Sequence, residues 1–319
     1  MSGVLAVLSI YDDYMCGIVG YVGDGNVYDI LIKGLHRLEY RGYDSAGIAL
    51  VAPSGKLNVY KTMGKVSNLE AFCLDKNLEA KAGIAHTRWA THGEPSDCNA
   101  HPHYSEDGNL ALVHNGTIEN YKLLKDALIQ HGCKFHSETD TEVLVQLIEY
   151  IKVKNNCSLL DAVREALKQV VGAYAIAVIE KDNPNRIIAA RKSSPLVIGI
   201  GENEMFLASD ATPFVEYTKD CVYLKDEEVA VIERGEPLKL VTLENKESKI
   251  DVTTLEMSIS QLEKGGYPHF MLKEIFEQPT TLQDCIRGRV VNGGKKVMLS
   301  GVADNKEKFI NAKRIVIVA

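Results

Sequence analysis

The chain has 319 residues, 45% hydrophobic and 25% charged, which is enough apolar material for one large folded domain or two ordinary ones. Its formal net charge of -7, with no concentrated Lys/Arg tract, argues against a nucleic-acid partner, because that affinity rests on neutralising phosphates. The seven cysteines (16, 73, 98, 133, 157, 221, 285) are odd in number and form no Cys-x-x-Cys pair, which speaks against a zinc or dithiol centre and fits a reducing cytoplasm.

In chain order, the opening apolar stretch Val4 to Ile10 is shorter than the ~20 residues of a spanning helix, and it runs into Asp12-Asp13 with no Lys or Arg before it. Neither a signal peptide nor a membrane anchor is predicted. Short apolar runs rich in Val, Ile or Ala predict buried strands at 17–22, 46–51, 82–87, 109–114, 172–180, 186–190, 196–200 and 229–232. Helical spacing marks Ile30, Leu31, Leu35 and Leu38. Two adjoining helices are predicted at about 119–131 and 139–152, the second carrying Val143, Leu144, Leu147, Ile148 and Ile151 on one face. It opens with Thr139-Asp140-Thr141-Glu142, a capping-box pattern. Because these helices interrupt the strands as a pair, the alternation of a doubly wound fold is not maintained, and an α+β fold of stacked sheets with outer helices is expected. The polar stretch from Leu240 to Lys264, closed by Gly265-Gly266, reads as a domain boundary. A second unit is expected from near Pro268 and to be incomplete, with Arg314 to Ala319 as a buried strand of an α/β domain.

Cys16 is the chemically suggestive residue. A cysteine directly behind a methionine becomes the first residue when that methionine initiates translation, and it then carries a thiol nucleophile and a free amine base together. Here Cys16 is written behind Met1 to Tyr14 and Met15, so that amine is tied up in a peptide bond unless the preceding residues are absent from the mature protein. The bland alternative is a small buried residue beginning a strand. His114-Asn115-Gly116 ends an apolar run and offers a side-chain amide and a glycine N–H to one oxygen, as an oxyanion hole requires. Asn-Gly is equally the commonest tight hairpin turn. The cluster from His86 to Pro95 contains Arg88, whose planar fork suits a carboxylate, with Thr91 and His92 able to add hydrogen bonds. It could also be a surface loop with a paired arginine. Asp140 at a helix start could merely complement the dipole, or join Arg88 in gripping the ammonium and carboxylate of an α-amino acid. His101-Pro102-His103 has no recognisable metal-ligand spacing, and Gly20-x-x-Gly23-x-Gly25 lacks the dinucleotide-binding spacing. No metal and no cofactor is expected.

Together these residues resemble the glutamine–fructose-6-phosphate aminotransferase family. The match runs through Met15 to Gly20, Leu38 to Gly47, His86 to Pro95, Asn99 to His103, His114 to Gly116, Ser137 to Glu142, Ser194 to Gly199, Ala208 to Asp210 and His269 to Pro279. The last of these segments disfavours asparagine synthetases and amidophosphoribosyltransferases. The resemblance implies a class II glutaminase domain over 16–240, an N-terminal-nucleophile fold of four αββα layers. A linker at 241–268 and the truncated start of a sugar isomerase domain at 269–319 would follow. It further implies Cys16 as nucleophile, Asn115 and Gly116 as oxyanion hole, and Arg88, Thr91, His92 and Asp140 as glutamine-binding residues. Arg41 would support the nucleophile and Trp89 would gate an ammonia path. Glutamine is the implied substrate, fructose 6-phosphate would be reached only through the missing C-terminal domain, and the family is expected to be homo-oligomeric.

Two departures stand out. Residues 1–15 are expected to be a leader absent from the mature protein, through a start site assigned too early or through processing; if retained, the domain would be a silent glutamine-binding module. The chain also stops at Ala319, where the family's phosphate-binding Cys-Gly-Thr-Ser stretch would follow.

Overall fold

The computed structural model describes residues 16–256 except Thr91, together with 266–286, 290–291, 296–297 and 306–312. Expectations that fall on residues 1–15, on Thr91, on the Arg41 side chain and on Arg314 to Ala319 lie outside the described residues.

Fourteen strands of the first compact unit, Met1–Ile259, form two antiparallel sheets among the described residues. The first sheet has eight strands: β1 (Gly17–Val22), β2 (Ser45–Val51), β3 (Leu57–Met63), β4 (Ala82–Arg88), β9 (Val197–Ile200), β10 (Met205–Ala208), β11 (Asp220–Tyr223) and β14 (Thr253–Thr254), in the order β14-β11-β9-β10-β1-β4-β2-β3. The second has six: β5 (His103–Tyr104), β6 (Leu110–Ile118), β7 (Gly172–Glu180), β8 (Asn183–Lys192), β12 (Glu228–Glu233) and β13 (Lys239–Thr242), in the order β13-β12-β8-β7-β6-β5.

Strand periodicity sorts the apolar side chains into three layers of core. Successive residues of a strand face opposite sides, so Ile18, Ala49 and Ile84 of the first sheet meet Val113, Ala177 and Ile187 of the second between the sheets. The alternate positions Val19, Tyr21 and Ile48 pack outward against α1 (Val27–Leu38) and α2 (Val66–Cys73). On the far side, Leu112, Ile176 and Val178 pack against α4 (Asp140–Asn155) and α5 (Leu159–Leu167), with Leu128 of α3 (Tyr121–Gln130). Both faces of each central strand are covered, which is why these strands read as continuous apolar runs. Each fully buried Val, Leu or Ile contributes about 1.5–3 kcal/mol. Helix, sheet, sheet, helix is the four-layer arrangement expected from the resemblance.

The polar stretch after Leu240 is not simply a connector. β13 continues the six-stranded sheet to Thr242, and β14 adds an edge strand to the eight-stranded one through its pairing with β11. The second unit, Ser260–Ala319, contains among its described residues helices α6 (Phe270–Ile286) and α7 (Lys306–Ile310) and a two-stranded ladder, Val290–Val291 with Lys296–Val297. Among the described residues, no helix is long and apolar enough to cross a membrane.

Candidate active site

The period-two rule that builds the inter-sheet core also carries the polar side chains at one end of it. β4 sends Ile84 into the core, and two and four residues on come His86 and Arg88; β6 sends in Ala111 and Val113, and then Asn115. Cys16 stands two residues before the inward-facing Ile18 at the start of β1. A cleft of about 300 Å³ opens here, lined among others by Cys16, Arg88, Trp89, His92, Asn115, Gly116 and Asp140. That is the small end of the range for ligand pockets and suits a ligand the size of an amino acid.

The Cys16 sulfur accepts the Trp89 backbone N–H at 3.1 Å, and its thiol donates to the Trp89 carbonyl at 3.5 Å. Burial pushes the thiol pKa up, opposed by the Trp89 N–H and by the Arg88 charge. Desolvation wins, so the thiol needs a base to become a nucleophile. The Asn115 Nδ2 donates to the Cys16 carbonyl at 2.9 Å. Asn115-Gly116 is not a hairpin turn: both residues lie inside β6, paired with Ala175 and Tyr174 of β7. The turn statistics of the dipeptide give way to the nine-residue pairing of β6 with β7. Gly116 has φ +130°, and a Cβ there would lie 2.1 Å from the Ala173 carbonyl oxygen, so only glycine fits.

Arg88 is only 3% exposed. Its Nη2 donates to the carbonyls of His92 and of Gly93, folding the loop around the guanidinium. Nη1 lies 3.8 Å from Asp44 Oδ1 but has no hydrogen-bond partner. A buried guanidinium nitrogen with an unfilled hydrogen bond, on a residue that lines the cleft, suits a carboxylate. Asp44 in turn accepts the Ala90 N–H and the Ser45 hydroxyl, which ties it to the loop.

Asp140 is the first residue of α4. Thr139 caps the helix by accepting the Glu142 N–H at 3.2 Å, as the pattern predicts, but the Glu142 carboxylate returns to the N–H groups of His136 and Ser137 rather than to that of Thr139. Asp140 itself accepts the Ile118 N–H at 2.8 Å, an interaction that locks α4 to the end of β6 and presents the carboxylate to the cleft. His92 lines the cleft and stacks edge-on against Tyr121. Trp89 is 39% exposed, and its backbone N–H and carbonyl both bond the Cys16 thiol. Arg41 lies in a short 3-10 turn, Glu39–Arg41.

Four buried histidines surround the site. Burial holds His86 down to about 3 and His101 and His103 well below the usual imidazole range, and it lowers His114 against the opposing pull of Asp140. His101 and His114 both meet the Thr141 hydroxyl, at 2.9 and 3.0 Å. Among the described residues, no group of three or more His, Cys, Asp or Glu is arranged to hold a metal ion. The motif reading singled out Cys16, Arg88, His92, Asn115, Gly116 and Asp140, and all six meet in this cleft. It assigned no role to Asp44 and Thr141, which lie within the matched segments but whose partners lie far along the chain.

Two antiparallel sheets between helical layers, with this cleft at one end, make up an N-terminal-nucleophile fold, and the chain is similar to glutamine amidotransferases in both sequence and structure. Residues 86–216 match the family model described as "Glutamine amidotransferase domain". Among solved structures, the glutamine phosphoribosylpyrophosphate amidotransferase from B. subtilis is 29% identical with a TM-score of 0.61, covering 73% of this chain and 50% of that one. An allosteric regulatory enzyme of purine biosynthesis is 30% identical with a TM-score of 0.62, covering 72% and 49%.

More narrowly, the chain matches the N-terminal half of glutamine–fructose-6-phosphate aminotransferases (isomerizing). The protein of that name from Bacteroides thetaiotaomicron is 63% identical over 305 residues, which are 96% of this chain and 50% of the relative. Those of Chlorobaculum tepidum and Thermus thermophilus are 51% and 49% identical, over 96% and 92% of this chain and 50% and 48% of the relatives. The chain spans about half the length of the curated relatives it matches.

Proposed function

We propose that this domain hydrolyses L-glutamine to glutamate and ammonia, with Cys16 as the nucleophile and its own α-amine as the base. The amine takes the thiol proton, and the thiolate attacks the side-chain amide carbon. Asn115 Nδ2 and the Gly116 N–H hold the oxyanion of the tetrahedral intermediate. Protonated by the α-ammonium, the leaving nitrogen departs as ammonia, and water then resolves the glutamyl thioester to glutamate. Arg88 grips the α-carboxylate and Asp140 the α-ammonium, with Thr91 and His92 completing the ligand shell. Arg41 supports the nucleophile, and Trp89 gates the exit of ammonia. Joined to a sugar isomerase half, such a domain would pass its ammonia to fructose 6-phosphate.

The observation that carries this reading is the convergence of the Cys16 sulfur, the Asn115 amide, Arg88 and Asp140 on one amino-acid-sized cleft. Both hydrogen bonds of the sulfur go to the Trp89 backbone, which cannot take up a proton. With residues 1–15 attached, the same geometry therefore supports glutamine binding without hydrolysis. Mass spectrometry of the native amino terminus separates the two readings. A protein beginning at Cys16 should release glutamate from glutamine and lose that activity on Cys16→Ala. Bound glutamine with no turnover in the Cys16-initiated form overturns the proposal.

A further inference from the structure

We infer that His86 is a positioning residue that fixes the orientation of the Asn115 amide across the sheet sandwich, so that its NH₂ rather than its oxygen faces the reacting centre. The inference rests on Asn115 being an oxyanion donor, as proposed above.

An asparagine amide can be turned either way, and only one way offers a donor to an oxyanion. His86 Nε2 lies 2.9 Å from Asn115 Oδ1 and 3.1 Å from the His114 carbonyl oxygen. A carbonyl can only accept, so the hydrogen must be on Nε2, and that hydrogen then demands an oxygen from Asn115. On its other side the amide nitrogen donates to the Cys16 carbonyl at 2.9 Å. Turning the amide over would set NH₂ against the Nε2–H and oxygen against the Cys16 carbonyl. Two hydrogen bonds would be lost, and two like-against-like contacts would replace them in a buried place. His86 belongs to β4 of one sheet and Asn115 to β6 of the other, so the contact braces the mouth of the sandwich.

The ring is itself held. His86 is fully buried and its ring packs on that of His101 with centroids 4.3 Å apart, while His101 is anchored to Thr141. Opposite His86 in the register of β2 stands Gly47, where a Cβ would lie 2.2 Å from the His101 carbonyl oxygen. The missing side chain at Gly47 is what lets the His101 backbone close over the ring. Nδ1 of His86 has no hydrogen-bond partner, so the ring is not a link in a proton relay. Burial keeps it neutral far below physiological pH, and the Nε2–H donor persists across the working range of the enzyme.

Two neutral amides of different reach test this in the form that begins at Cys16. The amide of His86→Gln can occupy the place of Nε2, whereas that of His86→Asn stops near Nδ1. Losing one oxyanion donor costs about 10²–10³ in kcat; a misoriented donor should cost about 10–100-fold. The expected result is that His86→Asn lowers kcat by that factor with the glutamine KM within about twofold, and that His86→Gln restores kcat to within about fivefold of wild type. In an Asn115→Ala background, His86→Asn should cost little more, because the amide it orients is gone. Equal kcat for the Gln and Asn variants, a change in KM alone, or an undiminished His86→Asn effect in the Asn115→Ala background overturns the inference while leaving Asn115 its role. An Asn115→Ala protein with unchanged kcat overturns the oxyanion reading and this inference with it.

Discussion

Replacing Arg88 by Gln isolates the recognition of the α-carboxylate. Arg88 lines the cleft but is only 3% exposed, and its Nη1 is buried with no hydrogen-bond partner. A hydrogen bond to a charged group in such a place is worth about 1.5–3 kcal/mol, and a carboxylate in the fork gains charge attraction as well. Asp44, 3.8 Å from Nη1, offsets part of that attraction. A net loss of about 3 kcal/mol is therefore expected, which at 1.4 kcal/mol per decade is about 100-fold in kcat/KM for glutamine. Arg88 also orders its own loop, and the His92 and Gly93 carbonyls that lose their donor should lower thermal stability too. The decisive assay compares glutamine with 4-aminobutanamide, the same molecule without its α-carboxylate, following ammonia release. Wild type should use the truncated amide poorly, and Arg88→Gln should make it no poorer. A substitution that weakens both substrates by the same factor would show that Arg88 shapes the loop without touching the carboxylate.

Asp140→Asn keeps an oxygen for the Ile118 N–H but removes the charge, and it should cost about 10–100-fold in kcat/KM for glutamine and nothing for glutaramate, which lacks the amine; equal losses on both would refute its role. Gly116→Ala drives a Cβ into the Ala173 carbonyl at a positive φ, so it should lose at least about 2 kcal/mol in urea unfolding and nearly all turnover, whereas wild-type values would contradict the geometry. His86, His101 and His103 stay neutral when folded, while in the unfolded chain they protonate near pH 6.5. The unfolded state then binds more protons, so stability is fully present above that pH and declines as pH falls toward 3, by up to about 1.4 kcal/mol per pH unit for each histidine. Urea midpoints that stay level from pH 7.5 to 5 would count against buried neutral imidazoles.

The central strands were legible because they are covered on both faces, leaving Gly17–Val22 and Gly172–Glu180 almost without polar interruptions. α1 and α4 were legible for their apolar spacing and, at Thr139, for a cap that the structure uses. β3, at the edge of its sheet, was not, since Leu57–Met63 mixes polar with apolar residues. β10 was not legible either, because Met205–Ala208 has no β-branched residue to mark a strand. The polar turn in composition after Leu240 hid two further edge strands for the same reason as β3. In the site, each motif residue could be named from its neighbours in sequence, but the choice between turn and oxyanion hole for Asn115-Gly116 could not be made there. It depends on β7 lying alongside, and the partner of Asn115 is His86, 29 residues away on the opposite sheet.

The most direct measurement is covalent trapping of the Cys16-initiated protein by a glutamine analogue with a diazoketone in place of the amide, followed by peptide mapping. The account predicts one label per chain, on the Cys16 sulfur, forming as glutaminase activity disappears and slowed by excess glutamine. A label on any other residue, or continued glutamate release by a protein stoichiometrically modified at Cys16, would contradict it.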